Sequence, residues 1–396
     1  MKNCGIVCEY NPFHTGHAYQ LGRVRDCGAD NIVCVMSGSF VQSAMPAFCD
    51  KAIRTECALM GGADAVVELP AVYSTASAQY FAEGGIKVMR NIRDITHIAM
   101  GARASASDIL SIADIKIKHS DAFRAELKRE LDSGKSYNAA CTAALAVCYD
   151  KYGTGTANVA DIMSDPNNML CVEYIAAIDK LSANIQPLVI ERKGAAHGEI
   201  CSHGEYISAT AVRAAANEGR FGEVKRFIPH SYEKILRARA EHSPDMSAYK
   251  QIAAFALECA TVEYIRDRRN CSEGMEYILK NMPATHDFDR YADAVISKRY
   301  GKKRVYRLML DILLDIDKFA TDKRFITRLL GCRNVFDFGL LPNYIITNNA
   351  AIKSAAAHDE DVASVLSVDE KATLLYNTIC RRDGDYYNYS IVKVNA

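Results

Sequence analysis

Short apolar runs alternate with stretches of helical period along roughly the first 220 residues, each run of a length that suits a buried strand. The runs are Gly5-Ile6-Val7-Cys8-Glu9-Tyr10, Asn31-Ile32-Val33-Cys34-Val35-Met36, Ala65-Val66-Val67-Glu68-Leu69 stopped by Pro70, His97-Ile98-Ala99-Met100 ending in Gly101, and Leu188-Val189-Ile190-Glu191-Arg192. Between them the spacing predicts helices over 18–27, over 50–60 with Asp50 as N-cap, and over about 77–89. Strands separated by helices imply right-handed crossovers, so the expected fold is α/β with a doubly wound parallel five-stranded sheet.

Residues 107–181 read as a helical insertion in that sheet, interrupted by the turn Asp165-Pro166-Asn167-Asn168, which opens a helix over 169–178. Past about residue 220 the strand pattern gives way to helical periods over 246–264, 271–281, 288–298 and 304–317. The chain therefore divides into an α/β domain, 1–220, and a mainly helical domain, 221–396. A small apolar element at Tyr344-Ile345-Ile346-Thr347 and a tail with Tyr386, Tyr387 and Tyr389 close the sequence.

Composition narrows the picture. With 396 residues, 49% hydrophobic and 24% charged, the chain is an ordinary soluble globular protein with a sizeable core. Its net charge is zero, so any nucleic-acid surface must be local. No apolar run is long enough to span a membrane, and Met1-Lys2-Asn3-Cys4 leads straight into a strand without signal-peptide architecture. None of the 14 cysteines forms C-x-x-C, which suits reduced thiols in a cytoplasmic protein; Cys8, Cys34 and Cys171 lie in apolar segments as core residues.

The chemistry gathers after the first strand, where Asn11-Pro12-Phe13-His14-Thr15-Gly16-His17 breaks the apolar run and begins a helix. Unpartnered N–H groups at a helix start favour an anion, Gly16 permits close approach, and His14 and His17 share one turn. Two surface or capping histidines are the plain alternative. A zinc site lacks the Glu of an H-E-x-x-H helix. A second anion-compatible helix start is Ser208-Ala209-Thr210-Ala211-Val212-Arg213. The densest basic cluster, Lys298, Arg299, Lys302, Lys303, Arg304 and Arg307, is either a solvated helix face or an RNA-backbone contact.

The strand and H-x-G-H turn are similar to the H-x-G-H nucleotidylyltransferase superfamily. With Met36-Ser37-Gly38-Ser39-Phe40-Val41-Gln42, Asp50-Lys51, Gly62-Ala63-Asp64, Glu68-Leu69-Pro70, Ser77-Ala78-Gln79-Tyr80-Phe81-Ala82-Glu83-Gly84, Pro166-Asn167-Asn168-Met169-Leu170 and Ser208-Ala209-Thr210, the chain resembles the bacterial tRNA(Met) cytidine acetate ligases. Weaker similarity runs on through Ser297-Lys298-Arg299-Tyr300 and 308–316.

The resemblance implies a Rossmann-like domain on which acetate attacks the α-phosphate of ATP. Pyrophosphate leaves, and the acetyl group passes from acetyl-adenylate to N4 of the wobble cytidine of elongator tRNA(Met). It implies ATP enclosed by Val7, Cys8, Glu9, Tyr10, Asn11, Pro12, Phe13, His14, Thr15, Gly16, His17, Ala18, Tyr19 and Gln20, with His14 and His17 donating to phosphate oxygens and Mg2+ arriving with ATP. Gly101 would give the adenosine room, Asn167 and Arg192 would hold polar groups of the nucleotide, and Ser208 and Thr210 would touch phosphate. Read without the resemblance, Gly101 is a turn glycine, Asn167 an N-cap and Arg192 a strand-end ion pair.

Two stretches depart from the family pattern: Ser43-Ala44-Met45 stands where the family usually shows Arg-Gly-Glu, and Ala102-Arg103 where it shows Ser-Glu. Other readings of the same motifs are an adenylyltransferase for a phosphorylated small molecule, and a nucleotide- or RNA-binding protein without catalysis.

Overall fold

The computed structural model describes residues 1–153, 155–193, 206–229, 231–272, 274–297, 300–334, 336–337, 339, 345–384 and 386–395. Five parallel strands form the expected sheet: β1 (Asn3–Cys8), β2 (Asn31–Ser37), β3 (Ala65–Leu69), β4 (Ile95–Ala102) and β5 (Gln186–Glu191), in the order β5-β4-β1-β2-β3. Period-two alternation sends Val33 and Val35 of β2 into one core and Ile32, Cys34 and Met36 into the other, which is why the strand is apolar throughout. From β1 the chain winds first toward β3 and later toward β5, so the strand order reverses beside β1. In such sheets ligands bind at the carboxyl ends of the strands at that reversal.

The C-terminal region extends the sheet, which the sequence pattern did not indicate. β6 (Thr327–Arg333) runs antiparallel along β3, pairing Ala65 with Cys332, and β7 (Ile345–Ile346) and β8 (Val392–Val394) both pair with β6. Gly331 permits this close packing: a Cβ there would lie 2.6 Å from Thr55 Cγ2 and 2.7 Å from Val392 O.

The insertion between β4 and β5 is helical as expected, as Ala106–Lys118, Ser120–Asp132, Tyr137–Tyr152, Val159–Ile162 and Pro166–Lys180. The last begins earlier than the apolar period suggested, because the Asp165 carboxylate caps it and Pro166 suits its first turn. Past residue 220 the expected helix 246–264 divides into Met246–Cys259 and Val262–Arg266. The division falls at Ala260, which is extended, and Thr261, whose hydroxyl caps the second piece. The helices Phe288–Val295 and Lys302–Leu314 stop short of their predicted ends; Asp315, at φ 61°, turns the chain out of the second. Helix Glu360–Ile379, not anticipated, carries the buried Asp369 whose carboxylate accepts from Ala71 N at 2.6 Å.

Cys8, Cys34 and Cys171 are buried free thiols, and burial pushes the Cys171 thiol up to about 12. Among the described residues no helix is long and apolar enough to cross a membrane.

Ala44, in the departing loop, is fully buried and has φ 61°, the left-handed region that disfavours a Cβ. Ala44→Gly is therefore expected to raise stability by about 0.5–1 kcal/mol, the relieved strain exceeding the lost methyl burial. A urea midpoint at or below that of the parent would contradict this.

Candidate functional site

β1 delivers the chain to a sharp reversal: Tyr10 takes φ 44°, and the Asn11–Pro12 peptide is cis. Phe13 then turns into the core against Gly61, where a Cβ would come within 2.3 Å of its ring. Helix Thr15–Asp26 starts immediately after, with His14 as its N-cap. His14 Nδ1 accepts from Gly16 N at 3.1 Å, and His17 Nδ1 accepts from His14 N at 3.3 Å. This is a capping box made by two imidazoles in place of a hydroxyl and a carboxylate. The capping reading of these histidines is thus physically present, and it leaves one atom of each ring for other use.

Because both Nδ1 atoms accept backbone N–H groups, the neutral rings must carry their protons on Nε2. The rings stack with centroids 3.8 Å apart. Burial, with Arg192 and Arg213 nearby, lowers His14 to about 3; burial, His14 and Arg192 hold His17 well below its ordinary value. Two neutral Nε2–H donors therefore stand at the helix start.

A cavity of about 230 Å³ opens beside them at the carboxyl ends of the strands. Its walls include Val7, Cys8, Glu9, Tyr10, Asn11, His17 and Gln20 from the first turn, with Gly101, Asn167 and Arg192. A smaller annex reaches His14, Gly16, Tyr19, Gln20 and Ser208, and shares Gly101 and Arg192 with it. Pro12, Phe13, Thr15 and Ala18 are not on either wall. The space left by Gly101 is filled by the Arg192 stem, whose Cγ would lie 3.1 Å from an added Cβ. Among the described residues the Arg192 guanidinium has neither an ion pair nor a hydrogen bond, so its charge faces the cavity.

Asn167 is the second residue of its helix, the cap being Asp165, which accepts from Asn167 Nδ2 at 2.9 Å. Ser208 is itself an N-cap, accepting from Ala211 N at 3.1 Å. Thr210 accepts from Arg213 and lies off the walls. In the departing strand end, Arg103 pairs with Asp165 at 3.1 Å.

Arg213, from the second anion-compatible helix start, donates to Asn11 O at 2.6 Å and completes the rim. Other wall residues carry no sequence sign of a site, Gln42 and Tyr174 among them. Gln42 N donates to Glu9 Oε1 at 2.8 Å, and Tyr174 closes the apolar end. Behind the wall lies Arg54, fully buried, donating to the carbonyls of Cys49, Glu9, Ser37 and Gly38. A lone arginine in a helix gives no sequence sign of such burial.

The basic cluster separates by direction. Lys302 and Lys303 are exposed and border a groove with Ser43, Met45 and Met246. Arg304 turns inward to Ser272 Oγ at 2.6 Å, and Arg307 lies beside Asp311 and Arg269, its pKa lowered to about 10 by burial. Lys298 and Arg299 lie outside the described residues.

The sequence profile of the HIGH Nucleotidyl Transferase family matches residues 1–388. The tRNA(Met) cytidine acetate ligase of Acetivibrio thermocellus is 34% identical over 326 residues, covering 80% of this chain and 78% of that protein. That of Clostridium perfringens is 30% identical over 344 residues, 84% of this chain and 85% of the relative. Crystal structures of Thermotoga maritima TmcAL, apo and bound with alpha-thio ATP, superpose at TM-scores of 0.89 and 0.87, each with 26% identity and full coverage of both chains. The chain belongs to the HIGH nucleotidyl transferases and, among them, to the tRNA(Met) cytidine acetate ligase family.

Proposed function

We propose that the protein is an ATP-dependent ligase that joins acetate to the wobble cytidine of elongator tRNA(Met) through acetyl-adenylate. The observation that carries this reading is the pair of Nε2–H donors on a helix start, set beside the unpaired Arg192 on the wall of the cavity at the strand ends. Attack of acetate on the α-phosphate puts negative charge on phosphoryl oxygens and on departing pyrophosphate. Fixed neutral donors and an arginine stabilise that charge without reorganising, which is the larger part of what this chemistry requires of a protein.

Asn167 and Arg192 hold the nucleotide's polar groups, and Ser208 meets phosphate from the annex. Mg2+ enters with ATP as its counter-ion and screens the phosphates; among the described residues no group of three or more His, Cys, Asp or Glu gathers to hold a metal by itself. The region 221–396 serves the tRNA, with Lys302 and Lys303 available to its backbone.

The deciding measurement is ATP–pyrophosphate exchange with and without acetate and elongator tRNA(Met). Exchange that needs acetate but not tRNA, followed by N4-acetylcytidine when tRNA is added, is the expected result. Adenylation of a small molecule without RNA would favour an adenylyltransferase, and ATP binding without exchange a non-catalytic member.

A further inference from the structure

Two cavities meet at one carboxylate. Glu9 lies on the wall of the nucleotide cavity and also on that of a second cavity, of about 230 Å³, lined by Asn11, Ser43, Met45, Arg239 and Met246. Ser43, Met45 and Met246 continue into a groove of about 350 Å³ bounded by Lys250, Lys302, Lys303 and Tyr306. A path thus runs from the exposed lysines to the nucleotide, and Glu9 stands where it arrives.

The carboxylate is also unspent. Oε1 accepts from Gln42 N at 2.8 Å, while among the described residues no hydrogen bond reaches Oε2 and no ion pair reaches either oxygen. The two nearby arginines are occupied elsewhere: Arg213 with Asn11 O and Thr210 Oγ1, Arg54 with backbone carbonyls. An unpaired negative charge beside a phosphate-binding wall opposes ATP binding, so its presence calls for another role.

We propose that Glu9 is the general base of the second step, taking the N4 proton of a cytidine that enters from the basic groove. The assignment rests on the acetate-ligase reading above. The N4 lone pair attacks the carbonyl carbon of acetyl-adenylate and a C–N bond forms. The C–O bond to phosphate then breaks with its electron pair leaving on AMP, and the N4 proton passes to Glu9 and on to solvent. Groups facing this carboxylate are Gln42, Arg54 from helix Lys51–Met60, Arg213 from helix Ala209–Asn217, Lys303 from helix Lys302–Leu314, and Tyr174 from helix Pro166–Lys180. Burial raises its pKa from the ordinary value, and Gln42 N–H and the three cations pull it back.

Glu9→Gln keeps the Oε1 acceptor and removes the base. In single-turnover transfer of labelled acetyl to elongator tRNA(Met), it is expected to lose about 100-fold or more, at least about tenfold beyond any change in acetate-dependent exchange, since Glu9 also lines the nucleotide cavity. The acid limb of the wild-type transfer rate, present because protonation disables the base, should be missing in the variant. Glu9→Asp should retain at least about tenfold more transfer than Glu9→Gln. Equal losses in exchange and transfer, undiminished transfer, or Asp no better than Gln would each overturn the assignment. Wild-type exchange that ignores acetate would instead overturn the ligase reading, a failure seen before any variant is made.

Discussion

His17→Ala is expected to lower acetate-dependent ATP–pyrophosphate exchange by about 100- to 1,000-fold, the cost typical of removing one preorganised donor from a developing oxyanion. The same substitution removes the acceptor of His14 N, so it should also cost about 0.5–2 kcal/mol of stability through the lost cap. His17→Asn separates the two effects: its Oδ1 occupies the place of Nδ1 and restores the cap, but nothing replaces Nε2–H. Chemical unfolding of His17→Asn should return toward the parent, while its exchange rate stays near that of His17→Ala. Recovery of both together would make the histidine a cap and nothing more. Histidine 15N spectra of the free parent should show Nε2–H tautomers for His14 and His17 with no titration from pH 8 to 5. Both rings stay neutral across that window, since His14 protonates only near pH 3 and His17 is held well below its ordinary value.

Arg54→Met is expected to destabilise the protein by at least about 4 kcal/mol, read from urea unfolding. The guanidinium is fully buried and draws together four carbonyls, of Cys49, Glu9, Ser37 and Gly38, that otherwise repel one another and would be left without donors. Two of these carbonyls belong to Glu9 and Ser37, beside the ends of β1 and β2, so the arginine also shapes the cavity wall. Arg54→Lys, with one compact ammonium in place of a fork, should recover less than half of the loss. A cost below about 1 kcal/mol for Arg54→Met would mean that the carbonyls find other partners.

Most of the α/β region was legible because burial on both faces leaves a strand no polar positions, and Val33 to Met36 show this plainly. His14 and His17 were legible from the Pro-broken strand before them, although the capping box they form was only an alternative in the sequence. β6 was not legible: Leu329-Leu330-Gly331-Cys332 lacks alternation, carries a glycine, and is a strand because β3 needs a neighbour far away in the chain. Helix Glu360–Ile379 buries Leu366, Leu375 and Asn377 as well as Val365, Val368 and Asp369, so its buried arc covers about half of the girth and polar Asp369, Thr373 and Asn377 break the apolar stripe. The charge run at 302–307 could not distinguish Arg304, fastened to Ser272, from Lys303, exposed at the groove, because both are merely basic until the helix has a neighbour.

The antiparallel pairing of β6 with β3 has a consequence for how the protein is made. A ribosome that has released Leu69 must still translate through Arg333 before the far edge of β3 can be covered, an interval on the order of tens of seconds. Until then the nascent sheet carries an open rim, apolar over Ala65, Val66 and Val67, of the sort that recruits other chains. His14 and His17 emerge early, but their sheet is sealed only when the last quarter of the polypeptide leaves the exit tunnel.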